Sequence, residues 1–443
     1  MLKVSKFGGS SVANAQQIKK VQQIIASDPT RKIVVTSASG KEHAEDHKVT
    51  DLLYLCYEHK RYGMPVDSMF NLIKDKLLSI ENELGLATQL AQDIDALYQE
   101  LQQPIELDYL VSRGEYLTAK LLSHVLDYTF IDAKDLLFFK YNGELDYEKM
   151  KLAFNQLEDI QTGIVVPGFY GAFPNGEIHL MSRGGSDVTG SILANLANAE
   201  RYENWTDVSG ILKADPRLVK NPRQIDIITY EELRELSYMG ASVIHEEAVY
   251  PVKDKNIPIY ILNTNDSKND GTIILNKVDA EKRHAITGIA GKQEFSAITL
   301  VKEHMSSDFG TIRKALEVLE SYQLKVEHIS TAIDTFSLVV QSSQLKPIYY
   351  DLVHDLKKVC QATQINVTHE LSLIAIVSRF MKEKTGMSGR VFTALGEQNI
   401  NISLISQTGN ETNIILAVKN QDYKKTIQTI YSEFEGDDSI EKS

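Results

Sequence analysis

Two regimes of hydrophobic patterning alternate over the first two-thirds of the chain. Short, dense apolar runs are bounded by Gly, Pro or Ser: "KIVVTSAS" from Lys32, "YTFIDA" from Tyr128, "TGIVVPGF" from Thr162 and "IPIYILN" from Ile257. Between them lie segments with apolar residues at three- and four-residue intervals: "QQIKKVQQII", "LVSRGEYLTAKLLSHVL" and "SDVTGSILANLANA". Buried strands separated by amphipathic helices predict an α/β fold, a mostly parallel sheet with helices on both faces. Ligands of such sheets gather beyond the carboxyl ends of the strands. The stretch 40–105 is largely helical and charged, and reads as an added lobe or lid.

Near residue 280 the character changes, through the charged linker "NKVDAEKRHAITG". Beyond it the pattern repeats. A shift of 76 residues, read without a gap, lays Ile298, Leu300 and Val301 on Ile374, Ile376 and Val377. The same shift lays Leu316 and Leu319 on Phe392 and Leu395, and Leu324, Val326, Ile329 and Ser330 on Ile400, Ile402, Ile405 and Ser406. It also lays Leu338 and Val340 on Ile414 and Leu416. Each copy reads strand, helix, strand, strand, helix, so two ferredoxin-like βαββαβ modules are expected. The domain reading is 1–280, then modules at 285–370 and 371–443.

With 443 residues there is room for two or three domains. A net charge of -13 argues against nucleic acid as a partner, although a local basic site for a small anion remains compatible with it. The two cysteines, Cys56 and Cys360, have no metal or disulfide spacing. No apolar run is long enough to span a bilayer and the start is unlike a signal peptide, so a cytoplasmic location is expected.

"KFGGSSV", from Lys6 to Val12, sits where the first strand gives way to a helix. Gly8 and Gly9 let a ligand approach bare backbone, a helix start offers unpaired N–H groups, and Lys6 adds a cation; together these make an anion site. "SRGGSDVTG", from Ser182, repeats that logic, with Ser186 or Asp187 expected to cap the helix and Arg183 able to grip a carboxylate or phosphate. "NWTDVSGILKADPR" ends a strand at Thr206 and Asp207 and then forms a turn holding Asp215 and Arg217; "RGEYLTA" places Glu115 in or beside a helix. His43 and His47 sit in a charged loop and read as solvated. Taken singly, each motif is more often a surface turn or a solvated helix face than a binding site.

These motifs, with "VTDLL", "PGFYGAF" and the tandem repeat, follow one another in the order found in aspartate kinases, and the chain resembles that family over essentially its whole length. The resemblance implies an amino acid kinase domain followed by two ACT regulatory modules. It implies transfer of the γ-phosphoryl group of ATP to the β-carboxylate of L-aspartate, on the route to lysine, threonine and methionine. Such a carboxylate is ionised at neutral pH and needs no general base, so catalysis rests on positioning and positive charge.

Carried over by position, Lys6 would stabilise the transferring phosphoryl group and Asp187 would orient Lys6. Glu115 would pair with the substrate ammonium and Arg183 with a carboxylate, with Thr50, Phe169, Gly184 and Ser186 completing the pocket. Gly8, Gly9, Ser10, Thr206, Asp207, Asp215 and Arg217 would hold the nucleotide. Mg²⁺ would be held by phosphate oxygens and water, without a protein ligand motif. In the first module Met305, Asp308, Ser330, Thr331 and Asp334 would take an amino-acid effector, lysine first and threonine second, and the modules would join chains into a homodimer or homotetramer. Ser242 and Leu212 depart from the family, which often has lysine and an aromatic residue there. Two other readings stay open: another kinase of the superfamily, or a non-catalytic amino-acid sensor.

Overall fold

The computed structural model describes residues 2–182, 184–241, 243–278, 285–308, 310–381, 385–407 and 412–436. Arg183, Ser242, most of the charged linker and parts of the two turns of the second repeat lie outside the described residues. The chain forms two compact units. One comprises residues 1–211, 224–231 and 243–278; the other comprises 212–223, 232–242 and 279–443.

The first unit is built on an eight-stranded sheet. Its strands are β1 (Lys3–Phe7), β2 (Arg31–Thr36), β3 (Thr129–Phe130), β4 (Ile164–Pro167), β7 (Arg201–Thr206), β8 (Ile227–Thr229), β9 (Ile259–Asn263) and β10 (Thr272–Leu275). A separate hairpin holds β5 (Tyr170–Ala172) and β6 (Ile178–Leu180). The sheet order is β3-β4-β2-β1-β7-β9-β10-β8, and only the β9–β10 pair is antiparallel. Val4, Phe7, Ile33, Val34 and Val35 are fully buried, as central parallel strands require.

Helices α1 (Ala15–Ala26), α2 (Val49–Arg61), α3 (Asp67–Glu83), α4 (Leu90–Leu101) and α5 (Leu107–Leu126) share one apolar core with Val34 and Val165 of the sheet. The helical stretch 40–105 is therefore no detached lobe. Leu53, Cys56, Phe70, Ile73, Leu77 and Ile94 close the same core as Ile18 and Leu117, because each helix turns its apolar stripe inward, α3 against α2 and α4 against α5, which itself packs on β2 and β4. After the short helix α6 (Tyr147–Asn155), helix α7 (Gly185–Leu196) packs on β1, β2 and β7.

The second unit is a six-stranded antiparallel sheet in the order β12-β13-β11-β14-β16-β15. These strands are β11 (Gly288–Val301), β12 (Val326–Thr331), β13 (Thr335–Gln341), β14 (Gln364–Val377), β15 (Leu404–Gln407) and β16 (Asn413–Lys419). The two long central strands serve both modules. The half of β11 from Phe295 pairs with β13, while its first half, Gly288–Lys292, pairs with the half of β14 that also pairs with β16. Each module thus borrows its fourth strand from the other copy's long strand. The crossing points are Glu294 and Glu370, both left-handed (φ 69° and 60°) and one repeat apart. Gln323 and Asn399, another pair one repeat apart, end equivalent helices in the same conformation.

The repeat contains a gap. Ile298 and Ile329 flank Leu338, and their equivalents Ile374 and Ile405 flank Leu416. Leu338 therefore matches Leu416, not Ile414. The turn after β15 is two residues longer than the turn after β12. A two-residue slip in a strand leaves every side chain on its original face, so the apolar pattern could not reveal it. The segment 212–223 joins this unit through Ala214 and Val219, which enter the core of the second module with Met387, Leu395 and Ile430.

Candidate active site

β1, β2, β4, β7 and β9 run parallel and end on the same side of the first sheet, and the motif residues of this unit gather there. Lys6 lies opposite Asn204 in the β1–β7 register. Its Nζ is 2.6 Å from Asp187 Oδ1 and donates to Asn204 Oδ1 at 3.4 Å. Asn204 Nδ2 closes the triangle by donating to the same Asp187 oxygen at 3.0 Å. Lys6 is 7% exposed and Asp187 9%, so this ion pair is largely withdrawn from water.

Asp187 does not cap its helix. The cap position is Gly184, in the left-handed region at φ 81°, and the helix starts at Gly185. Ser186 and Asp187 therefore fall within the first turn. The Asp187 carboxylate is taken by Lys6 and Asn204, and the His245 amide donates to its other oxygen at 3.4 Å.

Past β1, residues Gly9–Val12 form a 3₁₀ turn, whose leading amides have no acceptor inside the turn. Two bonds hold it: the Gly8 amide donates to the Trp205 carbonyl at 3.0 Å, and Gly40 N donates to Gly9 O at 2.9 Å. Gly40 is required sterically, since a Cβ there would lie 2.6 Å from the carbonyl carbon of Gly9. Ser10 stays partly accessible, while Ser11 is buried and its hydroxyl is 2.8 Å from that of Thr264.

Glu115 lies in α5 and is 4% exposed. Burial pushes its carboxyl up to about 8, opposed by hydrogen bonds from the amide of Ala38 and from its own amide. Its Oε2 is buried and has no hydrogen-bond partner among the described residues. Ala38 follows β2, the neighbour of β1, so this oxygen belongs to the same end of the sheet as Lys6. A buried acid with one unused oxygen is complementary to a cation that brings its own hydrogen-bond donors.

Thr50, half-buried, opens α2, whose first amide, that of Val49, donates to Ser39 O. Phe169 has φ 79°; its amide donates to Thr189 Oγ1 at 3.2 Å, and its carbonyl accepts from Met181. Gly168 abuts Ser186 so closely that a Cβ would sit 2.7 Å from the serine Cβ. Thr206 ends β7 and donates to the exposed Asp207 at 3.1 Å. Asp215 and Arg217 belong to the second unit, where they form a two-pronged ion pair with each other.

Comparisons with known proteins identify the family. The amino acid kinase family model matches residues 1–263 and an ACT domain model matches residues 374–434. Aspartokinase 3 of Bacillus subtilis is 35% identical over 98% of both chains. The chain belongs to the aspartate kinase family. The crystal structure of Clostridium acetobutylicum aspartate kinase superposes with a TM-score of 0.90 at 42% identity, covering 98% of this chain and 99% of that one. E. coli aspartokinase III has been solved with aspartate and ADP and with lysine and aspartate; at 24% identity it shares the fold, with TM-scores of 0.73 and 0.74 over 98% of this chain and at least 99% of its own. Among the described residues no helix is long and apolar enough to cross a membrane.

Sequence reasoning overlooked several residues of this candidate site. Asn204 stands inside the quoted "NWTDV" but was given no role, although its register opposite Lys6 makes it the third member of the ion-pair triangle. Ala38 lies in "KIVVTSAS", read only as a strand, and Gly40 opens the charged stretch read as an added lobe. Their importance comes from backbone atoms, which leave no chemical signature in a side-chain pattern. His245, from "HEEA", packs its Cβ against Gly184, where a side chain would meet it at 2.3 Å.

Proposed function

We propose that this aspartate kinase transfers the γ-phosphoryl group of ATP to the β-carboxylate of L-aspartate, forming 4-phospho-L-aspartate, the first step toward lysine, threonine and methionine. The observation that carries the reading is the unpartnered, buried Oε2 of Glu115 at the sheet end that also holds the Lys6–Asp187 pair. The substrate ammonium donates to that oxygen, and Arg183 meets a substrate carboxylate. Thr50, Phe169, Gly184 and Ser186 complete the pocket.

Gly8, Gly9 and Ser10 receive phosphate, and Thr206 and Asp207 attend the rest of the nucleotide. The ionised β-carboxylate attacks the γ-phosphorus, the bond to the bridging oxygen breaks, and ADP leaves. Lys6 balances the charge that shifts during transfer, and Asp187 with Asn204 holds its ammonium in place. Asp187 and Glu203 are already committed to Lys6 and to Arg31 with Arg201, so Mg²⁺ would arrive with the nucleotide, held by phosphate oxygens and water and lowering the charge between the reactants. ADP release measured with a panel of amino acids tests the reading. Turnover should require aspartate; equal turnover with glutamate, or none with any amino acid, would overturn it.

Control by lysine through the first module belongs to the same proposal. Ser330 and Thr331 are exposed on the edge strand β12, and Asp334 is exposed in the following turn. Asp308 is bonded to Lys302 and caps the Gly310 amide, so an incoming ammonium has to share it or displace Lys302. Met305 is buried in the core of that module and would act by shaping the site. Titration of activity with lysine, on wild type and Asp334→Ala, checks this; inhibition that ignores the substitution would remove Asp334 from the site. The same reading places the protein in the cytoplasm as a homodimer or homotetramer.

A further inference from the structure

Arg113 precedes Glu115 by two residues on α5 and so projects from a different side of the helix. It is 7% exposed, yet among the described residues no carboxylate lies within ion-pair distance. Its guanidinium carbon stacks 4.6 Å from the ring centre of Tyr109, 4.3 Å from Tyr116 and 5.5 Å from Tyr170. Nε and one terminal nitrogen donate to a single acceptor, Ser112 Oγ, at 3.2 and 3.0 Å; the other terminal nitrogen has none among the described residues. Three aromatic faces soften the burial of this cation but do not supply the anion it lacks.

The arginine lines a cleft of about 670 Å³ inside the first unit. α5 starts at the same cleft with Leu107 and Asp108, and Glu106, its cap residue, makes no side-chain capping bond. The free amides of a helix start thus share the cleft with an unpaired buried arginine, a setting for a carboxylate. The rest of the lining limits what that carboxylate belongs to. Glu106, Asp108, Asp132 and Glu177 face only Arg113 and Lys134, an excess of negative charge that rejects a polyphosphate. Glu106 and Glu177 are exposed at the rim, their carboxylates without an ion-pair partner among the described residues, and Tyr109, Tyr116 and Phe173 supply flat apolar faces.

We propose that this cleft is a second amino-acid site, distinct from the substrate pocket, taking an α-amino acid with an apolar or aromatic side chain. The α-carboxylate meets Arg113 and the start of α5, the ammonium meets Glu106 and Glu177, and the side chain lies on the tyrosines and Phe173. Because α5 also carries Glu115, occupancy bears on aspartate binding from the helix that positions its ammonium partner. The inference stands whether or not aspartate is the phosphoryl acceptor, since binding alone tests it.

The test is calorimetric titration of full-length protein carrying Glu115→Gln, which silences the substrate pocket, with each common amino acid in turn. At least one amino acid with an apolar or aromatic side chain should bind. Adding Arg113→Met should weaken it roughly tenfold or more, the size of a lost charged hydrogen bond. Should Arg113→Met fail to fold by circular dichroism, Glu177→Lys, a change at an exposed position, decides alone by the same loss. Absence of binding by every such amino acid, or binding unchanged in the folded variants, overturns the proposal.

Discussion

Glu115 and Lys6 meet opposite electrostatic problems within one site. Glu115 is buried without a counter-ion among the described residues, so below about 8 it holds a proton that an ordinary glutamate has lost. Binding an ammonium to its carboxylate therefore releases that proton, and the aspartate KM should fall as pH rises toward about 8 and then level off. The same group acts on stability with a definite sign. Its folded pKa is raised, so the free enzyme is favoured below the ordinary value of 4.5 and loses that contribution as pH climbs from there to about 8. Thermal unfolding of the free enzyme against pH, compared with Glu115→Gln, reads this directly: the variant should lack that component. Lys6, by contrast, is charged and paired. Lys6→Ala should lower kcat by roughly a hundredfold or more, as loss of one transition-state charge does. Near wild-type kcat in that variant would remove Lys6 from the chemistry.

The elements that carry these groups are held by close backbone contacts and one buried charge network. Gly40→Ala would push a methyl into the carbonyl of Gly9, and backbone cannot move aside as a flexible side chain can. Its expected effect is a rise in the ATP KM larger than that in the aspartate KM, measured by steady-state kinetics. Deeper in the sheet, Glu203 is wholly buried; Arg31 binds it at 2.8 Å, Arg201 at 2.6 Å, Trp205 Nε1 donates at 3.0 Å and Ser5 Oγ at 2.9 Å. Burial would raise its pKa, but the two arginines hold it below the usual range. Glu203→Ala leaves both guanidinium groups without their anion, and should destabilise the fold by about 3–5 kcal/mol in denaturant titrations while the enzyme that remains folded keeps its aspartate KM. A variant as stable as wild type would show the network to be dispensable.

For the molecule as a whole, the second unit exposes matched edges. β12 and β15 close the two ends of the six-stranded sheet and present Ile329 and Ile405, equivalent residues 41% and 51% exposed. Open edges carrying apolar side chains invite pairing with another chain. The expected outcome is a dimer or larger assembly by light scattering, and Ile329→Lys should shift it toward monomer. A fully active monomer at micromolar concentration would exclude assembly through these edges.

Much of this was legible in the sequence because it depends on local pattern. Strand and helix periods reported the α/β unit, and a repeat of 76 residues reported the two modules; glycines beside a lysine marked the end of β1, where Lys6 pairs with Asp187. What escaped were relations between segments distant in sequence and close in space. The register of β1 against β7 made Asn204 a partner of Lys6, and packing drew the helices of 40–105 into the main core. The exchange of strand halves at Glu294 and Glu370, and the two-residue gap before β16, are invisible to a pattern of period two. Sequence alone determined which residues are apolar, charged or free to bend, since those are properties of single side chains and short windows. Only the tertiary structure decided which charges meet, which oxygen of Glu115 stays unpaired and which backbone atoms touch, because burial and distance arise when remote segments pack.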